Sequence, residues 1–366
     1  MKAVTIVGAR PQFIKAATVS RVLRANPLAH EILVHTGQHY DDNMSRVFFE
    51  ELEIPEPDYN LGIGSGSHGF QTGHMLEAIE SILERESPDW VVVYGDTNST
   101  LAGAVAGAKL HIRVAHVEAG LRSFNRRMPE ELNRVLTDHA ADLLFAPTQQ
   151  SVENLRREGI HGAAVVCTGD VMYDAAVFYA EKAERGSRVI HELGLTPGGY
   201  VLATLHRAEN TDDPLRLATL FQTLASMADH TEIVLPLHPR TRAALVAHGL
   251  KADSRLRMMD PVGYLDMMAL EKNAGVIVTD SGGVQKEAFF HRVPCVTLRN
   301  ETEWVELVEC GWNRLAPPSI GAETISGIIL QAASQRDLPH SDIYGDGHAA
   351  AQIVEALLQR DDMRRS

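Results

Sequence analysis

Three carboxylates, two histidines and a serine–glycine turn are the residues of this sequence with chemical reach. Asp96 follows the apolar run Trp90-Val-Val-Val-Tyr94 and Gly95, Glu118 follows Arg113-Val-Ala-His-Val117, and Met128-Pro129-Glu130-Glu131 opens a helical segment. Acids gathered at one sheet edge have some of their pKa values raised, which is how a general acid and a general base are made from one residue type. The plainer reading makes Asp96 a helix N-cap and lets Glu130 and Glu131 favour the positive end of a helix. Three such acids together with a histidine outweigh three separate caps. His206 ends Val201-Leu-Ala-Thr-Leu205 and is followed by Arg207. A single histidine is often a satisfied structural residue, yet this one stands at a strand end, where function is the better reading. His238, before Pro239, suits the orientation of backbone or ligand.

The turn Asp280-Ser281-Gly282-Gly283 interrupts an apolar run and precedes Val284-Gln-Lys-Glu-Ala-Phe-Phe290. Such a strand-to-helix turn leaves backbone N–H groups open to an anion, with no Cβ in the way and the helix dipole assisting. The simpler alternative is a serine N-cap with flexible glycines. Glu287, one turn on, would repel phosphate but accepts hydrogen bonds from a ribose diol, so with Lys286 it suggests a nucleoside diphosphate. Arg10, permanently charged just after the first apolar run, suits a ligand phosphate better than a core. No Gly-x-Gly-x-x-Gly follows a strand and no Gly-x4-Gly-Lys-Ser/Thr occurs, which argues against a nicotinamide cofactor and a P-loop. His111, His116 and Asp96 lack the spacing of a metal site. No metal or other cofactor is expected.

The elements that must position these residues are legible as an alternation. Short β-rich runs at Ala3–Gly8, Ile32–Thr36, Trp90–Tyr94, Arg113–Val117, Leu143–Ala146 and Ala164–Cys167 alternate with segments of 3.6-residue period. The pattern restarts with Tyr200–Leu205, Glu232–Leu237, Gly275–Thr279 and Pro294–Leu298 after a polar helical stretch, Met172 to Leu195, closed by Thr196-Pro-Gly-Gly199. This predicts an α/β protein with two doubly wound parallel sheets. The expected domains are 1–171, carrying the acids, 172–346, carrying the Ser281 turn, and a last helix within 347–366 that returns to the first domain. Ligands of such sheets sit beyond the carboxyl ends of the strands, so the expected site is a cleft that the two domains face. The polar clusters agree with that rule, since Gly8–Gln12, Gly95–Ser99, Glu118–Arg122, His206-Arg207, His238–Arg240 and Asp280–Gly283 all follow strands.

At 366 residues the chain suits two domains, and 45% apolar content supports a large core. A net charge of -14 disfavours nucleic acid and anionic membrane as partners, so any phosphate site is local. Cys167, Cys295 and Cys310 have no CxxC spacing and read as small buried residues. The apolar stretch before Arg10 is too short for a signal peptide and no 18-residue apolar run follows, so a cytoplasmic protein is expected. The glycine-rich segment Leu61–Gly73 reads either as a lid or as a long connection.

Taken in order, Gly8-Ala-Arg-Pro11, Gly95-Asp-Thr97, His116-Val-Glu-Ala-Gly-Leu-Arg122, Met128-Pro-Glu-Glu-Leu-Asn-Arg134, His206-Arg207, Thr279-Asp-Ser-Gly-Gly283 and Tyr344-Gly-Asp-Gly347 resemble the non-hydrolysing UDP-N-acetylglucosamine 2-epimerase family. The resemblance covers nearly the whole chain. It implies two Rossmann-like domains in the GT-B-like arrangement of nucleotide-sugar glycosyltransferases, a returning C-terminal helix, a UDP-sugar substrate and a homodimer. It puts Asp96, Glu118, Glu130 and His206 at catalytic positions, and Arg10, Arg134, Ser281, Gly282 and Glu287 at UDP; His238 and Gly283 join them as substrate-binding candidates. The family reaction removes the C2 proton and expels UDP from C1, leaving a 2-acetamidoglucal to which UDP adds back. That chemistry suits these residues, because C2 is not α to a carbonyl and no nicotinamide site exists to oxidise C3. Elimination needs a base, an acid and a held pyrophosphate.

Some motifs depart from the substrate-activated branch of the family. Gln38-His-Tyr-Asp-Asp-Asn-Met44 stands for Gln-His-Arg with Leu-Asp-Gln, His206-Arg-Ala-Glu209 for His-Arg-Arg-Glu, and Thr302-Glu-Trp-Val-Glu306 for Thr-Glu-Arg-Pro-Glu. With Gly37–Asp41 and Val284–Phe290, they resemble the branch that epimerises UDP-2,3-diacetamido-2,3-dideoxyglucuronate for surface polysaccharides. Both substrates stay open, as do a GT-B glycosyltransferase, a hydrolysing epimerase and a non-catalytic nucleotide-sugar sensor.

Overall fold

The computed structural model describes residues 1–37, 53, 56–250, 253–335, 338, 339 and 341–365, with the backbone alone for Arg10, Pro11 and 363–365. Gln38–Met44 lies outside the described residues. Two compact units make up the chain, one of Met1–Ala175 with Asp342–Ser366 and one of Ala176–Ser341. The chain passes from the first to the second within the helix Val171–Gly186.

In the first unit, β1 (Lys2–Val7), β2 (His30–His35), β3 (Tyr59–Asn60), β4 (Trp90–Tyr94), β5 (Arg113–Val117), β6 (Leu143–Ala146) and β7 (Val165–Cys167) form one sheet in the order β3-β2-β1-β4-β5-β6-β7. Every pairing in it is parallel. Strands covered on both faces must be apolar throughout, and Val4, Ile6, Val91, Val93 and Val114 accordingly pack with Ile79 and Leu83 of the helix His68–Glu86 and Ala102 and Ala106 of the helix Asn98–Lys109. The order reverses between β1 and β4, so their carboxyl ends, Gly8 and Gly95, flank the switch point of the sheet. Gln12 ties those ends together. Its Oε1 accepts from the Gly8 and Ala9 N–H groups at 2.9 and 3.0 Å, while its Nε2 donates to the Tyr94 carbonyl at 2.8 Å.

The C-terminal helix Ala349–Arg365 belongs to this unit. Asp174 caps its start from far along the chain, accepting from the Ala349 and Ala350 N–H groups at 3.1 and 2.8 Å. Near its end, Arg113 donates to the Arg360 carbonyl at 3.0 Å and to Asp361 at 2.7 Å.

The second unit repeats the architecture with β8 (Tyr200–Thr204), β9 (Glu232–Pro236), β10 (Arg257–Met259), β11 (Val276–Thr279), β12 (Cys295–Thr297) and β13 (Asn313–Leu315), ordered β10-β9-β8-β11-β12-β13 and parallel throughout. Its core joins Val201, Ile233, Leu235, Val276 and Val278 to Leu217, Leu220 and Leu224 of the helix Pro214–Met227 and to Ile325 and Ile329 of the helix Ala322–Ala333. The switch point here falls between β8 and β11, whose ends lead to His206 and Ser281.

Three expectations are corrected. The glycine-rich segment is a loop only in its first half, because Ser67 caps a helix that begins at His68, its side chain accepting from the Phe70 N–H at 3.4 Å. Of the cysteines only Cys295 is buried; Cys167 ends the edge strand β7 in the open, and Cys310, at the C-cap of the short helix Val305–Glu309, is half-buried. The helical stretch after the first sheet is two helices, Val171–Gly186 and Val189–Glu192. Among the described residues no helix is long and apolar enough to cross a membrane.

Candidate functional site

The acids of the first unit stand on the loops after β4 and β5. Gly95 turns the chain with φ +65°, and Asp96 follows. Thr97, not Asp96, is the N-cap of the helix Asn98–Lys109, its side-chain oxygen accepting from the Thr100 N–H. The Asp96 carboxylate instead pairs with Arg134, and its carbonyl accepts from Asn133 Nδ2 at 2.9 Å. Both partners come from the helix Pro129–Ala140, which Pro129 starts in a position that needs no N–H.

Glu118 is buried and adopts φ +71°, a left-handed conformation costing a non-glycine residue about 1–2 kcal/mol. Its carboxylate is ion-paired with Lys15. A Cβ on Gly95 would lie 3.3 Å from both Glu118 Oε2 and Lys15 Nζ, so the Glu118 carboxylate stands beside the residue that precedes Asp96. Each strand-end acid thus has its own cation, Arg134 for Asp96 and Lys15 for Glu118. Lys15, on the second turn of the helix Arg10–Ala25, is not marked as a site residue by the sequence, where its place five residues beyond Arg10 is the one signal. Arg10 opens that helix, and its side chain lies outside the description.

Glu130 is exposed in the first turn of its helix, and its neighbour Glu131 organises the loop before it. Glu131 accepts from the Ser123 N–H and Oγ at 2.9 Å and from the Phe124 N–H at 2.8 Å, and it shares Arg134 with Asp96. Burial pushes the Glu131 carboxyl up, but the Ser123 N–H and Arg134 outweigh it and hold the group below the usual range.

In the second unit the turn after β11 divides its labour. Asp280, fully buried, accepts from the N–H groups of His206 and Arg207 at 3.1 Å and from Asn210 Nδ2 at 3.1 Å, fixing the end of β8 to the end of β11. His206 Nδ1 lies 3.3 Å from the same carboxylate, which aims the ring, and its centroid is 5.6 Å from that of His238. His238 caps the helix Pro239–Ala247, Nδ1 accepting from the Arg240 N–H at 3.1 Å. Ser281 is the N-cap of the helix Gly282–Phe290, with a long bond of 3.5 Å from the Val284 N–H to its Oγ. A Cβ on Gly283 would meet only Ser281 Oγ at 3.9 Å and Glu287 Oε2 at 4.0 Å, so the serine hydroxyl, open backbone and the Glu287 carboxylate border one space. A Cβ on Gly282 would instead meet Glu303 Oε1 at 2.4 Å.

Lys286 is buried, with Nζ 4.3 Å from the centroid of the Trp304 ring, while Trp304 Nε1 donates to the Gly282 carbonyl at 2.9 Å. Glu287 is buried as well, and burial, only partly opposed by Lys286, pushes its carboxyl up to about 7. His206, His238, Ser281, Gly282, Gly283 and Glu287 therefore belong to one sheet end, and Asp96, Glu118, Glu130 and Arg134 to the other unit. His116 has its ring nitrogens 2.6 Å from Asp138 Oδ1 and 2.7 Å from the Gly95 carbonyl. Among the described residues no group of three or more His, Cys, Asp or Glu side chains is placed to hold a metal.

Two doubly wound parallel sheets, each with polar side chains at its switch point, define a class of two-domain α/β proteins with Rossmann-like, GT-B-like units. Comparison with known proteins narrows the class. The family model for UDP-N-acetylglucosamine 2-epimerase matches residues 21–358. A UDP-2,3-diacetamido-2,3-dideoxy-D-glucuronate 2-epimerase of Pseudomonas aeruginosa is 51% identical over 98% of this chain and 99% of its own. A UDP-N-acetylglucosamine 2-epimerase homolog of Methanococcus maripaludis is 53% identical over the same shares, 98% and 99%. Among solved structures, the Methanocaldococcus jannaschii UDP-GlcNAc 2-epimerase in complex with UDP-GlcNAc and UDP superposes with a TM-score of 0.85 at 43% identity, covering 98% of this chain and 100% of that one. The chain belongs to the UDP-N-acetylglucosamine 2-epimerase family.

Proposed function

We propose that the protein interconverts the C2 epimers of a UDP-linked 2-acetamido sugar without hydrolysis. The observation that carries this reading is the pair of carboxylates, Asp96 and Glu118, on the loops after adjacent strands, each beside a cation. A carboxylate takes the C2 proton, the C1–O bond breaks with its electron pair passing to the UDP phosphate, and a C1–C2 double bond forms. UDP then adds back at C1 while a proton is delivered to the other face of C2. Asp96, Glu118 and Glu130 share the proton transfers, and His206 stabilises the departing phosphate. Ser281 with the Gly282 and Gly283 amides, Arg10, Arg134 and His238 hold the pyrophosphate and sugar, and Glu287 accepts from the ribose hydroxyls.

The particular sugar is either N-acetylglucosamine or 2,3-diacetamido-2,3-dideoxyglucuronate, the substrates named for relatives of nearly equal identity. The branch motifs around Trp304 favour the uronate and, with it, a role in surface polysaccharide synthesis. The enzyme works in the cytoplasm as a homodimer. Incubation with each UDP-sugar in D2O tests the reading: deuterium at C2 and a manno-configured UDP-sugar are expected with one of the two. Acceptor-dependent UDP release without exchange would show a glycosyltransferase, and free sugar with UDP a hydrolysing enzyme.

A further inference from the structure

His116 lies on β5 between β4 and β6, in register with Val93 and Leu144, and is completely buried. Its two ring nitrogens both face acceptors. Nε2 is 2.7 Å from the Gly95 carbonyl and Nδ1 is 2.6 Å from Asp138 Oδ1. A carbonyl cannot donate. Burial pushes the Asp138 carboxyl up, but His116 and Arg122 outweigh it and hold the group below the usual carboxylate range. The imidazole is thus fixed at each end, by the Gly95 carbonyl and by the Asp138 carboxylate. The other Asp138 oxygen accepts from the Gly120 N–H at 3.1 Å and pairs with Arg122 at 2.8 Å, which in turn holds Glu158 at 2.7 Å.

The anchored backbone is that of the acid-bearing loops. Gly95 precedes Asp96, and Gly120 lies two residues beyond Glu118. Gly95 and Gly120 have φ values of +65° and +79°, which glycine adopts freely, whereas Glu118 at +71° is strained and keeps that conformation only while the surrounding structure fixes it. Asn154 Nδ2 adds a bond to the Gly120 carbonyl at 3.0 Å. One buried pair thus reaches the loop of each acid.

We propose that His116 and Asp138 are positioning residues that set the Asp96 and Glu118 carboxylates for proton transfer at C2. The proposal rests on the reading of those acids given above. Misplacement of reacting groups by about 1 Å costs on the order of 100-fold, while nucleotide binding by the other unit is untouched. In His116→Gln and Asp138→Asn, kcat for C2 exchange is expected to fall about 100-fold, with KM and the UDP Kd within about two-fold of native. The decisive readout is the primary isotope effect with substrate deuterated at C2. It rises if positioning is lost, because C–H cleavage then limits the rate, and stays at its native value if the variant is merely partly unfolded. Should His116→Gln fail to fold, the isosteric Asp138→Asn carries the test alone. A folded variant with native kcat, or a fall in kcat with an unchanged isotope effect, overturns the proposal. Asp96→Asn and Glu118→Gln run alongside: exchange surviving in either would overturn the reading of the acids and the proposal with it, whereas inactive acid variants beside a native-like His116→Gln overturn the proposal alone.

Discussion

Arg134 bridges Asp96 to Glu131, one guanidinium holding an acid on the loop after β4 and a buried acid on its own helix. Because Thr97 supplies the helix cap next door, Asp96 has no folding duty at that terminus. Asp96→Asn should therefore leave UDP affinity and thermal midpoint near native while lowering C2 exchange by about 100-fold or more. Isothermal calorimetry, a thermal melt and the D2O assay check the three parts; a large drop in the melting midpoint would count against a purely chemical role.

Arg134→Met takes the shared cation from both carboxylates at once. Glu131 keeps its Ser123 and Phe124 partners but loses its charge partner in a buried place. A loss of about 2 kcal/mol in urea unfolding is expected, within the range for a hydrogen bond to a charged group. Arg134→Lys should recover part of the stability and less of the turnover, since an ammonium lacks the fork that spans two carboxylates.

Ser281→Ala separates capping from ligand binding. The cap bond to the Val284 N–H is 3.5 Å, at the long limit, so the stability loss should be below the ~1 kcal/mol of an ordinary cap. UDP affinity should fall about tenfold, equivalent to about 1.4 kcal/mol, if the hydroxyl faces the pyrophosphate. An unchanged Kd with a lowered melting point would leave Ser281 as a cap and nothing more.

The ten strands legible from apolar runs form both sheets to within a residue or two at each end, because burial on both faces demands an unbroken apolar sequence. Tyr59–Asn60, Arg257–Met259 and Asn313–Leu315 are not legible in this way. All three are edge strands, short and partly exposed, and carry no such run. Asp96, Glu118, His206 and Ser281 were readable for a different reason, since each directly follows a recognisable strand. Lys15 and the His116–Asp138 pair were not. Their partners lie 103 and 22 residues away, and only the parallel crossovers of the sheet bring them together.

Glu271 and Glu287 make stability depend on pH. Glu271 is fully buried, and neither carboxylate oxygen has a hydrogen-bond partner among the described residues; burial, then the charge of Glu287, pushes its carboxyl well up. Glu287 itself is raised from its ordinary 4.5 to about 7 by burial. Below pH 4.5 folded and unfolded chains both hold the proton, and there is no cost. Between 4.5 and about 7 the unfolded chain releases it first, so stability falls as pH rises, and above about 7 the full cost is present. Glu271→Leu removes one of the two buried acids. Its melting point should exceed the native one at pH 8, by an amount equivalent to about 1–3 kcal/mol, and approach it at pH 5. A variant less stable than native at pH 8 would show that Glu271 is satisfied in the folded protein.

Gly95 and Gly120 should respond differently to the same substitution. Both have positive φ, so alanine strains each by about 1 kcal/mol or more. At Gly120 the new Cβ would lie 2.4 Å from the Ser151 carbonyl oxygen and 2.9 Å from its carbon, backbone atoms that cannot step aside, and the N–H held by Asp138 would shift with them. Gly120→Ala should therefore be destabilised beyond the strain alone, by roughly 3 kcal/mol, an overpacking cost. At Gly95 the Cβ would meet only the ends of two flexible side chains at 3.3 Å, Glu118 Oε2 and Lys15 Nζ. Gly95→Ala should fold, with a loss of about 1 kcal/mol, and yet exchange C2 hydrogen far more slowly than native, because the atoms it displaces are the carboxylate and its counter-ion. Urea unfolding and C2 exchange measured on both variants therefore separate a glycine needed for folding, after β5, from one that positions the Glu118 carboxylate, after β4; native turnover in Gly95→Ala would mean that the position of the Glu118 carboxylate does not matter to the chemistry.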